Sequence, residues 1–354
     1  MGRPCFRYRS TLTPTESRIV TMILFDPSAL LDFPSYGILI PALDSRKRRT
    51  FESLLAHPVL GSIRDRWLCS HFQDSFTAQD LQRVHGPAYT AGFFNEQARQ
   101  QLITAYELVN PDGTRNRWEP ESAPKKLEDM VPSLMKNMAG TYRASLMALD
   151  SGFCHYLGGG AHHGHRDFGH GFCPVNDTAV TLRKLQAENT LKTAWVIDID
   201  AHKGDGTAAI FQDDASVRTL SIHMGSGWPL NGSLPAHHPS HLPSDVDIPI
   251  ESGEEHIYVE RLEEGLRRLE SFGAADFAVV LAGADPWEGD ALPSTDPLNL
   301  TMEQMGERDR LVSNFLDEKG LPSVWLTAGG YGEGAWEIHS NFLSWKLPRT
   351  LNLS

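Results

Sequence analysis

The sequence predicts an α/β fold, a central, mostly parallel sheet flanked by helices and carried by one domain. Three observations point there. Short apolar runs recur along the chain, each followed by a helical pattern, which is how βα units read. The runs Trp195-Val196-Ile197 and Phe277-Ala278-Val279-Val280-Leu281 are apolar at every position, as central strands covered on both faces are. Finally, the clusters of His, Asp and Gly all follow such runs, and open parallel sheets build their sites at the carboxyl ends of strands.

Taken in order, strands are expected at residues 21–25, 153–157, 193–200, 217–223, 277–282 and 323–327. Between them lie helices. Residues 130–149 form one long helical pattern, and Asn176 is placed to cap a helix running through Leu185. In residues 254–271, Tyr258, Leu262, Leu266 and Leu269 recur at spacings of three or four and make one core-facing stripe. Thr301 with Gln304 fits a capping box opening a helix that holds Met305, Val312 and Phe315. Residues 110–126 and 225–245 are rich in Pro, Gly and polar side chains. Both are long for plain connections and read as functional loops.

With 354 residues, 40% hydrophobic and 22% charged, the chain has the composition of a globular protein able to bury a full core. A net charge of -13 argues against nucleic-acid partners, which need clustered Lys and Arg. No run approaches the roughly 18 apolar residues that span a bilayer. The four cysteines, Cys5, Cys69, Cys154 and Cys173, form no CxxC pair and no disulfide framework, so reduced thiols and a cytoplasmic location are expected. Residues 1–21 carry Arg3, Arg7, Arg9 and Arg18 without an apolar segment, and are expected to be a flexible extension before a domain over residues 22–354.

Four loops carry chemistry. Gly158-Gly159-Gly160-Ala161-His162-His163 sets two adjacent imidazoles after a tight glycine turn. In Asp198-Ile199-Asp200-Ala201-His202-Lys203-Gly204-Asp205, residues two apart point to one side of an extended chain, so Asp200 and His202 can grip one ion. Asp198 and Asp205 are left as partners for the outer nitrogens of His162 and His163. Asp285, in Gly283-Ala284-Asp285-Pro286-Trp287-Glu288-Gly289-Asp290, can supply a third ligand. Taken alone, an Asp before Pro reads as readily as a turn. Tyr331, after Gly329-Gly330, can project a hydroxyl as an oxyanion donor, though by itself a Tyr there usually packs. His237-His238-Pro239-Ser240-His241 looks like a metal site but has no apolar run beneath it, and is expected to be a surface loop. Cys154 and Cys173 have no evident activating base and are expected to be inert.

Together, GGGAHH with Gly171-Phe172-Cys173, DIDAHKGDG, GADPWEGD and AGGY, in this order, resemble the histone deacetylase family, which shares its fold with the arginases. The stretch Leu81–Tyr89, with His85 and Tyr89, matches the family's early His-x-x-x-Tyr segment, and the likeness runs from about Met22 to Leu343. The triple glycine, the DAH tripeptide and the EGD are most similar to class IV members and their bacterial relatives.

The resemblance implies zinc held by Asp200, His202 and Asp285, with water in an open position. It implies His163, backed by Asp205, as general base and then acid, with His162, backed by Asp198, as its electrostatic partner. Tyr331 would hold the oxyanion, while Gly171, Phe172, Trp228 and Leu292 line the substrate channel. A structural potassium is implied at Asp198, Asp200 and Ser221 with the carbonyls of His202 and Ile222, and a second around Phe211, Asp214 and Val217.

The implied reaction is hydrolysis of an acylated amine, an Nε-acyl-lysine before an acetylpolyamine. Leu292, seven residues after Asp285, is apolar where a polyamine-preferring branch carries Glu. Two Asp and one His also accept Fe(II) or Co(II). A binuclear arginase-like centre would need further bridging carboxylates. A non-catalytic acyl-lysine binder would need neither His–Asp pair. Lys203, where many relatives have His, and His165 and His170, on a loop that lines the rim in relatives, depart from the pattern. The two histidines are expected to bias substrate choice.

Overall fold

The computed structural model describes residues 21–41 and 44–353. The expected extension over residues 1–21 lies, through residue 20, outside the described residues, as does Cys5. Eight strands form one sheet: β1 (Ile23–Leu24), β2 (Leu68–Cys69), β3 (Phe153–Tyr156), β4 (Ala194–Asp198), β5 (Val217–Met224), β6 (Val246–Ile250), β7 (Phe277–Leu281) and β8 (Ser323–Leu326). Their order is β2-β1-β3-β8-β7-β4-β5-β6, and every pairing is parallel.

Each central strand sends alternate side chains to opposite faces, as the pleat requires. From β7, Phe277, Val279 and Leu281 enter one core, where Leu134, Met138, Leu182 and Leu185 of helices Val131–Ser151 and Asp177–Ala187 meet them. Ala278 and Val280 enter the other core, against Tyr258, Leu262, Met305, Val312 and Phe342 from three further helices. Helices therefore cover both faces, which is why β4 and β7 are apolar throughout. Each fully buried aliphatic or Phe side chain contributes about 1.5–3 kcal/mol, and this platform holds a polar cluster at its edge.

All six expected strands form, within a residue or two at their ends. The expected helix caps are present: Asn176 accepts from the N–H of Ala179 at 2.9 Å, and Thr301 and Gln304 cap each other reciprocally. The helix expected from residue 254 begins at Tyr258, after a short 3₁₀ turn, Glu255–Ile257. Two strands went unforeseen, β2 and β6, and both are edges. β2 has only two residues, and β6 (Val246-Asp247-Ile248-Pro249-Ile250) carries a proline, which an edge tolerates because its outer side needs no donor. No helix among the described residues is long and apolar enough to cross a membrane.

Candidate active site

Four neighbouring strands, β3, β8, β7 and β4, end at one place. Sequence-adjacent β3 and β4 are separated there by β8 and β7, which opens a crevice between the connections leaving the sheet.

From β3 the chain turns through Gly159 and Gly160, both at positive φ. Asp177, at the start of the next helix, accepts from the backbone N–H of Gly160 at 3.0 Å and of Ala161 at 2.7 Å. Asn176 donates to the carbonyls of His162 and Gly164. His85 and Tyr89 serve the same loop: His85 Nδ1 lies 2.9 Å from the carbonyl oxygen of His165, and the Tyr89 hydroxyl donates to the Pro174 carbonyl at 2.8 Å. His162 and His163 are thereby fixed side by side, with ring centroids 4.0 Å apart.

Both imidazoles meet a carboxylate from the segment after β4. His162 Nδ1 is 2.7 Å from Asp198 Oδ2, and His163 Nδ1 is 2.6 Å from Asp205 Oδ1. Burial opposes charge on each ring, and the two respond differently. His162 faces Asp198 and Asp200, whose charges outweigh its burial and push it up to about 9. His163, buried beside His162, is pushed down to about 3. A neutral His163 carrying its proton on Nδ1, toward Asp205, leaves Nε2 as a free base. Asp205 is itself held well below the usual carboxylate range, because His163, His165 and His170 overcome the effect of burial.

Asp200, His202 and Asp285 are fully buried, and one ligand atom from each lies within 4.8 Å of the others. His202 Nδ1 is 3.3 Å from Asp200 Oδ1 and 3.1 Å from Asp285 Oδ2, while its Nε2 lies 3.1 Å from Ser294 Oγ. Burial and the charge of Asp200 push the Asp285 carboxyl up. Two carboxylates crowded in a dry pocket are costly without a cation, so this donor set fits a divalent metal. Space is also reserved. A Cβ on Gly329 would come within 2.2 Å of Asp285 Oδ2 and 2.5 Å of Asp200 Oδ2. Arg308, fully buried, ties the loops after β4 and β7 together through the carbonyls of Ile199 and Gly283.

Above these groups lies a cavity of about 310 Å³ lined by His163, Gly171, Phe172, His202, Trp228, Leu292 and Tyr331, with Glu107 and Arg117 among the other lining residues. The four expected channel residues thus meet at one cavity. Gly171 is required there, since a Cβ would come within 2.4 Å of the Trp228 ring. Tyr331 stands on a backbone held by Asp290, whose Oδ2 accepts from the N–H of Tyr331 at 2.7 Å and of Gly332 at 3.1 Å. Arg46 reaches across the fold to donate to the carbonyls of Ala328, Gly329 and Gly330.

Asp198 faces Ser221 in the β4–β5 register, with Ile222 next along β5, so these three members of the first expected potassium set share one strand pair, while Asp200 and His202 lie on the segment just beyond β4. In the second set, the Asp214 carboxylate is already taken by Ser216 and Arg183. Lys203 is buried in an ion pair with Asp247 at 3.1 Å. Two expectations change. His165 and His170 turn away from the channel and toward Asp205. The histidine loop 237–241 is not purely a surface loop, because Ser240 is buried against His165. Cys154 and Cys173, expected to be inert, are buried free thiols, pushed well above the ordinary range by burial.

The histone deacetylase domain model matches residues 41–341. The chain belongs to the histone deacetylase family. Its membership makes it a hydrolase acting on amides. Among relatives, an uncharacterized protein of Picosynechococcus is 30% identical over 73% of this chain and 77% of its own length. Histone deacetylase 2 of Arabidopsis thaliana is 28% identical over 55% of this chain, and the acetoin utilization protein AcuC of Bacillus subtilis 29% over 51%. The match spans 49% and 47% of those two proteins. In fold, the chain is similar to an acetylpolyamine aminohydrolase from Burkholderia pseudomallei, with a TM-score of 0.68 at 20% identity, covering 92% of this chain and 98% of that one. It is similar also to the HDA15 HD domain, at 0.67 and 19%, covering 94% and 91%.

Arg46, Asp177, Asp290, Ser294, Arg308 and the Glu107–Arg117 pair gave no functional signal in the sequence. Asp290 stands inside the GADPWEGD motif without being distinguished there. Arg46 has no local signature, because its partners lie more than 280 residues away.

Proposed function

We propose that this histone deacetylase family member removes the acyl group from an Nε-acyl-lysine, with zinc held by Asp200, His202 and Asp285. The convergence of those three donors on the floor of the cavity, beside His163 and Tyr331, carries the reading. Bound zinc supplies a Lewis acid that polarises the scissile carbonyl and makes water acidic at neutral pH.

The remaining work falls to side chains. His163 Nε2 takes the proton of the attacking water, and Asp205 keeps the other nitrogen protonated and the ring in place. The Tyr331 hydroxyl donates to the carbonyl oxygen as it gains charge. His163 then returns its proton to the departing amine, which would otherwise be a poor leaving group. His162, backed by Asp198, is the electrostatic partner of His163. Phe172, Trp228 and Leu292 make apolar walls suited to an aliphatic stem and exclude water. Asp198, Ser221 and Ile222 are the proposed potassium ligands.

A second reading, an acylated polyamine, draws on one feature. Glu107 lines the cavity, and its carboxylate suits a second ammonium. Arg117 lies 3.9 Å away and offsets that charge, which favours lysine.

The test compares kcat/KM on acetyl-, octanoyl- and myristoyl-lysine peptides and on acetylspermidine, alongside metal content. About one zinc per chain with turnover of lysine peptides is expected. Preference for acetylspermidine selects the second reading, and a zinc-loaded chain that cleaves none of these amides overturns both.

A further inference from the structure

His163 is not the only imidazole that Asp205 receives. His165 Nε2 lies 3.2 Å and His170 Nε2 2.9 Å from Asp205 Oδ2, while His163 Nδ1 takes Oδ1. Asp205 is wholly buried and, when ionised, only accepts, so each nitrogen facing it carries a hydrogen. A carboxylate with one short bond could pivot about its Cβ–Cγ axis and swing the base with it. Donors on both oxygens remove that freedom.

The two outer histidines are anchored in turn. Phe168 stacks on His165 at 4.4 Å with an interplanar angle of 14°, and Trp228 lies 5.0 Å from His170. Ser240 Oγ sits 3.3 Å from His165 Nε2 and 3.0 Å from His238 Nδ1, so its hydroxyl accepts from the first and donates to the second. The loop 225–245 therefore supplies the channel wall through Trp228 and braces the carboxylate through Ser240.

We propose that His165 and His170 are positioning residues that clamp Asp205 Oδ2 and thereby hold His163 on line with the scissile amide. Neither lines the cavity. Their effect therefore falls on kcat rather than on KM. The proposal rests on the amide hydrolysis proposed above, with His163 as its base; wild-type turnover in the substrate panel tests the hydrolysis separately, and His163→Ala tests the base.

The test uses the zinc-loaded full chain. His170→Ala and His165→Ala are each expected to lower kcat about 10-fold and the pair about 100-fold, with KM and zinc content unchanged. His170→Gln and His165→Gln, whose amide nitrogen can take the place of Nε2, are expected to restore most of the loss. In an Asp205→Asn background the alanine changes should cost little more, because they act through that carboxylate. A folded double alanine variant with wild-type kcat overturns the proposal. So do Gln variants as impaired as the Ala ones, or losses that appear in KM. If the double variant does not fold, the single Ala and Gln variants decide between the same two outcomes.

Discussion

Tyr331 shows how much a single hydroxyl is asked to do. It lines the cavity with His163 and His202, and burial together with Asp285 and Asp200 drives its phenol far above the ordinary range. It therefore stays protonated and has a hydrogen to donate to an oxygen gaining charge. Tyr331→Phe is expected to lower kcat about 10²- to 10³-fold, the usual cost of one oxyanion donor. Zinc content and melting temperature should be unchanged. A rate near wild type, read from acyl-lysine turnover, would remove Tyr331 from the oxyanion role. At this scale, much of the site was legible. The His162–Asp198 and His163–Asp205 pairs stand as the family resemblance implied, because the connections leaving the carboxyl ends of β3 and β4 meet in the crevice between them. His165 and His170 misled, because a residue number near a rim does not say which way a side chain turns.

The element that depends most on distant support is the loop after β8. Gly330 has φ 128 and Ala328 φ 47, so this backbone departs from the conformations most residues prefer. Its carbonyls are satisfied by Arg46, from the opposite end of the sequence. Arg46→Met keeps the buried stem and removes the donors. The loss is expected to be about 2–4 kcal/mol, since buried acceptors lose charged hydrogen bonds. Calorimetry should show a lower melting temperature, and kinetics a lower kcat with metal retained. An unchanged kcat would mean that Tyr331 is held by Asp290 alone. Helices were legible because their stripes and caps are local. The edge strands β2 and β6 were not, because short, half-exposed segments carry little periodicity.

Across the whole molecule, buried histidines make stability depend on pH. His85 and His155 are pushed down to about 4 and about 3 by burial, and His339 also lies well below its ordinary value. Unfolding restores a value near 6.5. Between the folded and unfolded values, the unfolded chain binds more protons at these three histidines, so their contribution to stability is complete above about pH 6.5 and falls as pH drops. The loss per histidine is about 1.4 kcal/mol for each unit below that point. The melting temperature should therefore fall between pH 7.5 and 5.5. His155→Met, an apolar replacement for a ring with no hydrogen-bond partner, should flatten that dependence. An equal fall in both proteins would rule His155 out as a contributor.

By itself the sequence determined the α/β architecture and marked the four loops that meet at the site, because two-faced apolar runs and strand-end motifs are local patterns. Only the tertiary structure decided which strands adjoin, that Arg46 and Arg308 brace the site, and that three imidazoles converge on Asp205. Those contacts join residues far apart in sequence, and backbone carbonyls or carboxylates accept whatever donor the fold delivers. Nothing in the order of residues announces such a partner in advance.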